Sequence, residues 1–136
     1  MGRLADFYAN KVLDMAFGKA ANTFPDSLYI GLTSTQPTNI GENVTEPSGN
    51  NYSRVFCAND SAMWPAANGR TKSNGQDVLF PAATGDWGTQ SFFVLYDAPT
   101  AGNFIAYGEL TEPTDINVGA QAAFITGTLV INAPGA

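Results

Sequence analysis

The hydrophobic period of this chain changes once, near its start. Leu4, Tyr8, Val12 and Met15 recur at helical spacing, Phe7 adds a second ridge, and Asp6 lies in the first turn. Gly18 follows as a C′ residue, where a left-handed backbone carries no Cβ penalty. The pattern predicts one amphipathic helix over about 4–17. Its apolar side is read as a lid on a sheet, with a helix that docks on a partner as the sharper alternative.

Beyond the helix the period is two. "SLYIGLTST" puts Leu28, Ile30 and Leu32 on one face, which predicts a strand over Ser27–Thr33. "TQPTNIGENVTEPSGNN" then runs from Thr35 to Asn51, rich in Pro, Gly, Asn and Thr. A loop that long without structure of its own is usually functional or ordered by a partner. Alternation resumes in "YSRVFCA", with Tyr52, Arg54 and Phe56 opposing Ser53, Val55 and Cys57. The polar segment "AANGRTKSNGQ" precedes "DVLFPAA", a short strand ended by Pro81. Ser91–Tyr96 and Phe104–Leu110 form a hairpin through "DAPTAGN", whose Pro and Gly supply turn geometry.

In that hairpin Phe92, Val94 and Tyr96 share one face, while Phe93 and Leu95 share the other. A strand apolar on both sides is covered on both, by its own chain or by a neighbouring subunit. "AAFITGTLVINA" gives a last strand. The reading is one mainly β domain over 1–136. It takes the form of a β-sandwich or small barrel of about six to seven strands with one N-terminal amphipathic helix.

Composition narrows the function. Lys and Arg number 6 against 12 Asp and Glu, for a net charge of −6, which disfavours a phosphate backbone as partner. With no His anywhere, Ser-His and Cys-His nucleophile pairs and imidazole zinc sites are excluded. The lone Cys57 reads as a buried structural thiol. "MGRLADFYANKVLDMAFG" lacks the apolar run of a signal peptide, and no run approaches a membrane span. A soluble chain made in the cytosol is expected, with no nucleic-acid or membrane partner.

Candidate chemistry is thin. Asp86 and Asp97 bracket the Trp87 strand as a glycosidase pair would, but Asp97 opens a turn, where Asp caps the backbone. Glu109 and Glu112 flank a strand end and read as solvated. Glu42 and Glu46 could hold a cation weakly; a solvated loop is the plainer reading. Three matches to the N-glycosylation pattern, at Asn43, Asn51 and Asn59, are coincidence in an Asn-rich chain with no signal peptide. Trp64 and Trp87 are core anchors, or rings that stack on a sugar or fill an interface pocket. No enzyme motif survives, and no cofactor or metal is expected.

The ordered fragments "LADFYANKVLDMAFG", "LYIGLTSTQPT", "NNYSRV", "WPAA", "KSNGQDVLFPAATGDWGT", "LYDAPTAGNFIAYGEL" and "VGAQAAFITGTLVI" resemble a family of small tailed-phage virion structural proteins, often labelled tail-fibre-like. The most specific part is the "SNG…FPAAT…DWGT…YDA…G" spacing. The resemblance implies a virion location, no catalytic residues, and major capsid protein or tail proteins as partners. Few charges and two-sided apolar strands suit repeated assembly, so a homo-oligomer, with a trimer favoured, is expected. A head decoration (cement) protein is the first placement, and a tail-fibre or tail-tip component contacting the host is the second. The docking element is expected in the 35–51 loop or the helix. Leu4, Tyr8, Pro37, Ile40, Trp64 and Trp87 are the candidate interface residues.

Overall fold

Strand β6 (Gly88–Tyr96) is paired along both edges, and the rest of the sheet is built outward from it. The fold is seen in a computed structural model that describes residues 2–133. On one side β6 pairs antiparallel with β2 (Ser27–Thr33), from Tyr29 opposite Tyr96 to Thr33 opposite Phe92, and β2 in turn pairs with β3 (Val55–Ala58). On its other side runs β7 (Phe104–Ile116), which pairs with the short β1 (Gly2–Leu4). β1 lies parallel to β9 (Val130–Asn132), and β4 (Thr71–Ser73) closes that edge. The order is β3-β2-β6-β7-β1-β9-β4, a curled half-barrel. A second, two-stranded sheet joins β5 (Val78–Leu79) to β8 (Ala123–Phe124). One helix, α1 (Asp6–Ala16), completes the mainly β architecture that the periodicity predicts.

Two irregularities in β7 curl the sheet. Tyr96 faces Phe104 and Leu95 faces Ala106, so Ile105 is an extra residue. That bulge turns Ile105 and Ala106 together into the main core, while Phe104 and Tyr107 face the opposite side. Farther on, Gln90 faces Thr114 but Phe92 faces Glu109, so the four residues Leu110–Pro113 stand opposite Ser91 alone. Pro113 sits in this arch, where the ladder does not need the N–H it lacks.

Both faces of β6 are covered. Phe93 and Leu95 join Leu28, Ile30, Leu32 and Phe80 in the main core. Val94 and Tyr96 join Ala5, Phe104 and Tyr107 in a smaller second core, capped by Val44 from the long loop. Gly2 and Gly108 oppose each other across β1 and β7 because Phe93 lies beneath them. A Cβ on Gly108 would stand 2.4 Å from the Gly2 Cα and 2.7 Å from the Phe93 ring.

Three boundaries differ from the periodicity. Leu4 belongs to β1, because Ala5 carries an extended backbone and the helix begins only at Asp6. Gly18 does take the left-handed conformation expected after the helix, at φ 102°. The β7 strand runs on past Leu110 to Ile116. "AAFITGTLVINA" is two strands, β8 and β9, in different sheets.

Asn74 holds that last division and the unexpected β4 together. Its side chain is buried, and Nδ2 donates toward the carbonyls of Gln76, Phe124 and Ile125 at 2.9, 3.3 and 3.2 Å. Its Oδ1 accepts the Leu129 N–H at 2.9 Å. The Asn74 backbone pairs with Leu129 and Gly127 as well. An apolar residue here would strand several buried backbone groups. Asn74→Ala is therefore expected to lower unfolding free energy by at least about 2 kcal/mol, read as a shift in urea midpoint with unchanged slope. A shift within error would mean that Asn74 is not the hub.

Candidate functional site

The residues named from sequence separate into two groups. Trp64 and Trp87 are both core residues, as their plainer reading had it. The Trp87 indole N–H donates to the Asn50 carbonyl at 2.8 Å, and its ring meets Tyr52 edge-on. The Trp64 indole N–H finds no acceptor among the described residues. Pro37 is buried, and Leu4 is half-buried against the main core. Tyr8 is buried against Phe24, edge to face. Of the six, Ile40 is the one that reaches well into solvent, at 64% exposure. It lines a shallow hollow of about 320 Å³ with Phe7, Asn39, Tyr96, Asn103 and Phe104.

The long loop 35–51 is anchored along its length by its own chain. Thr33 Oγ1 accepts the Thr45 N–H at 2.8 Å, and Thr35 Oγ1 donates to the Asn43 carbonyl at 2.6 Å. The Asn39 carbonyl accepts the Asp6 N–H at 3.0 Å, and its Oδ1 accepts the Tyr107 hydroxyl. Asn51 Nδ2 donates to Ala82 O at 3.0 Å. The loop thereby covers the second face of the sheet.

Arg54 locks this cover. Its side chain is 8% exposed and forms a two-pronged ion pair with Glu46, Nη2 to Oε2 at 2.8 Å and Nε to Oε1 at 3.0 Å. Nη1 donates to the carbonyls of Ala98 and Ala101 in the β6–β7 turn, at 3.0 and 2.9 Å. The guanidinium carbon stands 3.6 Å from the Tyr96 ring centroid. Glu46 also accepts the Tyr52 hydroxyl at 2.7 Å, and Tyr52 Oη accepts the Leu32 N–H at 3.0 Å. Glu46 is thus neither solvated nor a loop cation ligand; it is the counter-ion of Arg54. The sequence carried one signal for this, an Arg inside an otherwise alternating apolar strand.

The other carboxylates proposed for chemistry are also engaged in structure. Asp86 Oδ1 accepts the Val118 N–H at 2.9 Å. Asp97 caps its turn, accepting from Asn103 N and Nδ2 at 2.7 and 2.8 Å. Among the described residues no three of His, Cys, Asp and Glu gather as a metal site, and no helix is long and apolar enough to cross a membrane.

Two further surfaces are open among the described residues. Along α1 only Tyr8 is buried, while Val12, Leu13, Met15 and Phe17 are exposed, so the helix is not the lid that its periodicity suggests. The chain turns at Gly18 and returns beside the helix, with Ala20 N donating to Asp14 O at 2.9 Å and Asn22 Nδ2 to Lys11 O at 3.3 Å. Residues 6–26 form an arm that is seated on the main core through Tyr8 and Phe24. The second surface is a groove of about 710 Å³ under the β7 arch, floored by Leu32, Phe93 and Phe124 and rimmed by Glu109 and Glu112. Sequence reasoning missed it, because a groove formed by an arch depends on register.

A family model described as "Podophage GP4 fiber I protein gp80" matches residues 3–132. No curated protein matches the chain.

Arg54→Leu leaves Glu46 partly buried without its cation and two turn carbonyls without a donor. A loss of about 3–5 kcal/mol is expected by urea unfolding, the range for breaking a buried pair from one side. A change below 1 kcal/mol, on the order of a surface pair, would place the clamp at the surface.

Stability is also expected to fall at alkaline pH. Burial pushes the Cys57 thiol up to about 11 and, with Asp97 adding to it, the Tyr8 hydroxyl up to about 12. Burial and the Glu46 carboxylate raise Tyr52 further. Each group keeps its proton longer folded than unfolded, so its contribution is complete below the unfolded pKa and is lost as pH rises through the folded one. Urea midpoints should hold to about pH 9 and decline toward pH 12. Cys57→Val should remove the earliest part of that decline; an unchanged profile would sink the assignment.

Proposed function

We propose that this chain, which belongs to the podophage GP4 fiber I protein gp80 family, is a fibre-type component of the phage tail. The family is one of tailed-phage virion structural proteins. The observation that carries the reading is the extent of the match, residues 3–132, which takes in every strand from β2 to β9 and the helix. Its role is to present surfaces rather than to turn over a substrate. The acidic groups that would serve a hydrolase, Asp86 and Asp97, hold a loop and a turn. The apolar arm, the groove and the hollow at Ile40 are surfaces open to partners.

Head decoration, on the capsid lattice, is the second reading. It is favoured by one feature: the described chain folds on itself as a curled sheet with no repeating shaft segment. In both readings the partners are virion proteins, the major capsid protein for one and tail proteins for the other, and the chain resides in the particle.

Copy number and position separate the two. Quantitative mass spectrometry of purified particles, against the major capsid protein, is expected to find few copies of this chain. Gold-labelled antibody is expected to mark the tail end. Near-stoichiometric copies spread over heads would replace the fibre reading with decoration. Absence from particles would overturn both.

A further inference from the structure

We infer that Asn68 is a site of spontaneous modification, where the exposed Asn68-Gly69 step closes to a succinimide and opens with water to aspartate or isoaspartate. The chain holds two Asn-Gly steps, Asn68-Gly69 and Asn74-Gly75, one on either side of β4. They are alike in chemistry and opposite in surroundings. Ring closure needs the backbone nitrogen of the second residue to reach the side-chain carbonyl carbon of the first. Glycine hinders that approach least, because it has no Cβ.

At the first step the reacting groups are free. Asn68, Gly69 and Arg70 are all exposed. Gly69 and Arg70 are the centre of a two-residue turn, with φ 59° and 67°. The Asn68 backbone supports that turn: its N–H donates to Thr71 O at 3.0 Å, and its carbonyl accepts from Thr71 N at 3.1 Å and Oγ1 at 2.8 Å. Its side-chain amide and the Gly69 N–H have no hydrogen-bond partner among the described residues. A Cβ placed on Gly69 would meet nothing within 4 Å, so no neighbour restrains this peptide.

At the second step the same groups are held. Asn74 is 1% exposed; Nδ2, the leaving group, donates to three carbonyls, and Oδ1 accepts the Leu129 N–H. The Gly75 nitrogen, which would attack, donates to Met63 O at 2.7 Å. A Cβ on Gly75 would stand 2.4 Å from Ala62 O and 2.8 Å from the Pro65 ring, so the peptide has no room to turn. Those bonds must break before the ring can close.

The chemistry needs only water. The Gly69 nitrogen bonds to Asn68 Cγ as the Cγ–Nδ2 bond breaks, and the nitrogen's proton leaves with the ammonia. Water then adds at one of the two ring carbonyls. Breaking the new bond leaves aspartate; breaking the original peptide bond leaves isoaspartate, whose main chain runs through Cγ. Either product brings a negative charge to the turn. Isoaspartate also lengthens the main chain and displaces the carbonyl that Thr71 uses, at the β4 edge of the sheet. The inference is independent of where in the particle the chain resides.

Peptide mapping by mass spectrometry, on the full chain kept folded for days in mildly alkaline buffer, tests it. The tryptic peptide ending at Arg70 is expected to gain one mass unit, with fragment ions placing the gain at Asn68 and showing both aspartate and isoaspartate. Asn74 is expected to react at least about tenfold more slowly, the order set by having to break a buried hydrogen bond first. In guanidinium, where the fold is lost, the two steps should react at similar rates. An unmodified Asn68, or an Asn74 that reacts as fast in the folded chain, overturns the inference. So does a gap that persists in guanidinium, because the fold would then not be its cause. Aspartate alone at position 68 would also overturn it, since that is direct hydrolysis without attack by Gly69.

Discussion

A nearly water-free guanidinium at Arg54 ties the loop, through Glu46, to a stretch distant in sequence: the end of β6 through the Tyr96 ring and the β6–β7 turn that follows it through two carbonyls. The rest of the fold depends on this because β6 is apolar on both faces. One face is met by the second sheet and its flanking segments. The other would lie open without loop 35–51 drawn across it, and a loop rich in Asn, Thr and Gly has little apolar surface of its own with which to stay there. Val44 supplies part of that surface. Polar bonds supply the rest, and the ion pair is the strongest of them because both partners are largely removed from water. Removing either partner alone would cost more than the pair contributes net, because the other charge is left largely buried and uncompensated.

The second constraint is register. Bulging Ile105 lets two consecutive residues enter the main core and frees its carbonyl for Ala5, so the helix starts where the strand bends. The four-residue arch at Leu110–Pro113 lifts β7 away from β6 and opens the apolar groove beneath it. Both open surfaces thus follow from departures from regular pairing, at opposite ends of one strand. The arm begins at the first and the groove lies under the second.

The mainly β class, the single helix and the bounds of β2 were legible because they rest on period alone. Leu28, Ile30 and Leu32 alternate, and they do face the core. What was illegible rests on distant partners. Three residues of β1 cannot announce a strand that forms only between β7 and β9. β4 is written in "TKS", polar residues whose place is fixed through Asn74 and its neighbours. Of the interface candidates, Ile40 is exposed as a docking residue would be, while Trp64 and Trp87 are core. An aromatic beside a turn former reads alike in either setting. Helical periodicity identified α1, yet it could not say whether its apolar ridge would be covered by the same chain. The structure leaves most of that ridge bare.

The motif that carries the family resemblance has a consistent physical meaning. Asn74 organises two sheets, Phe80 and Trp87 pack together in the core, Asp86 ties down Val118, and Asp97 closes the hairpin turn. These positions serve the scaffold of this chain, whatever its surfaces meet. The binding role must then be sought in residues the scaffold does not require. Phe17 is such a residue, because at 77% exposure it contributes little to folding. Val12, Leu13 and Met15 on the same arm are exposed as well, so partner contacts are to be sought by substitution there before the motif.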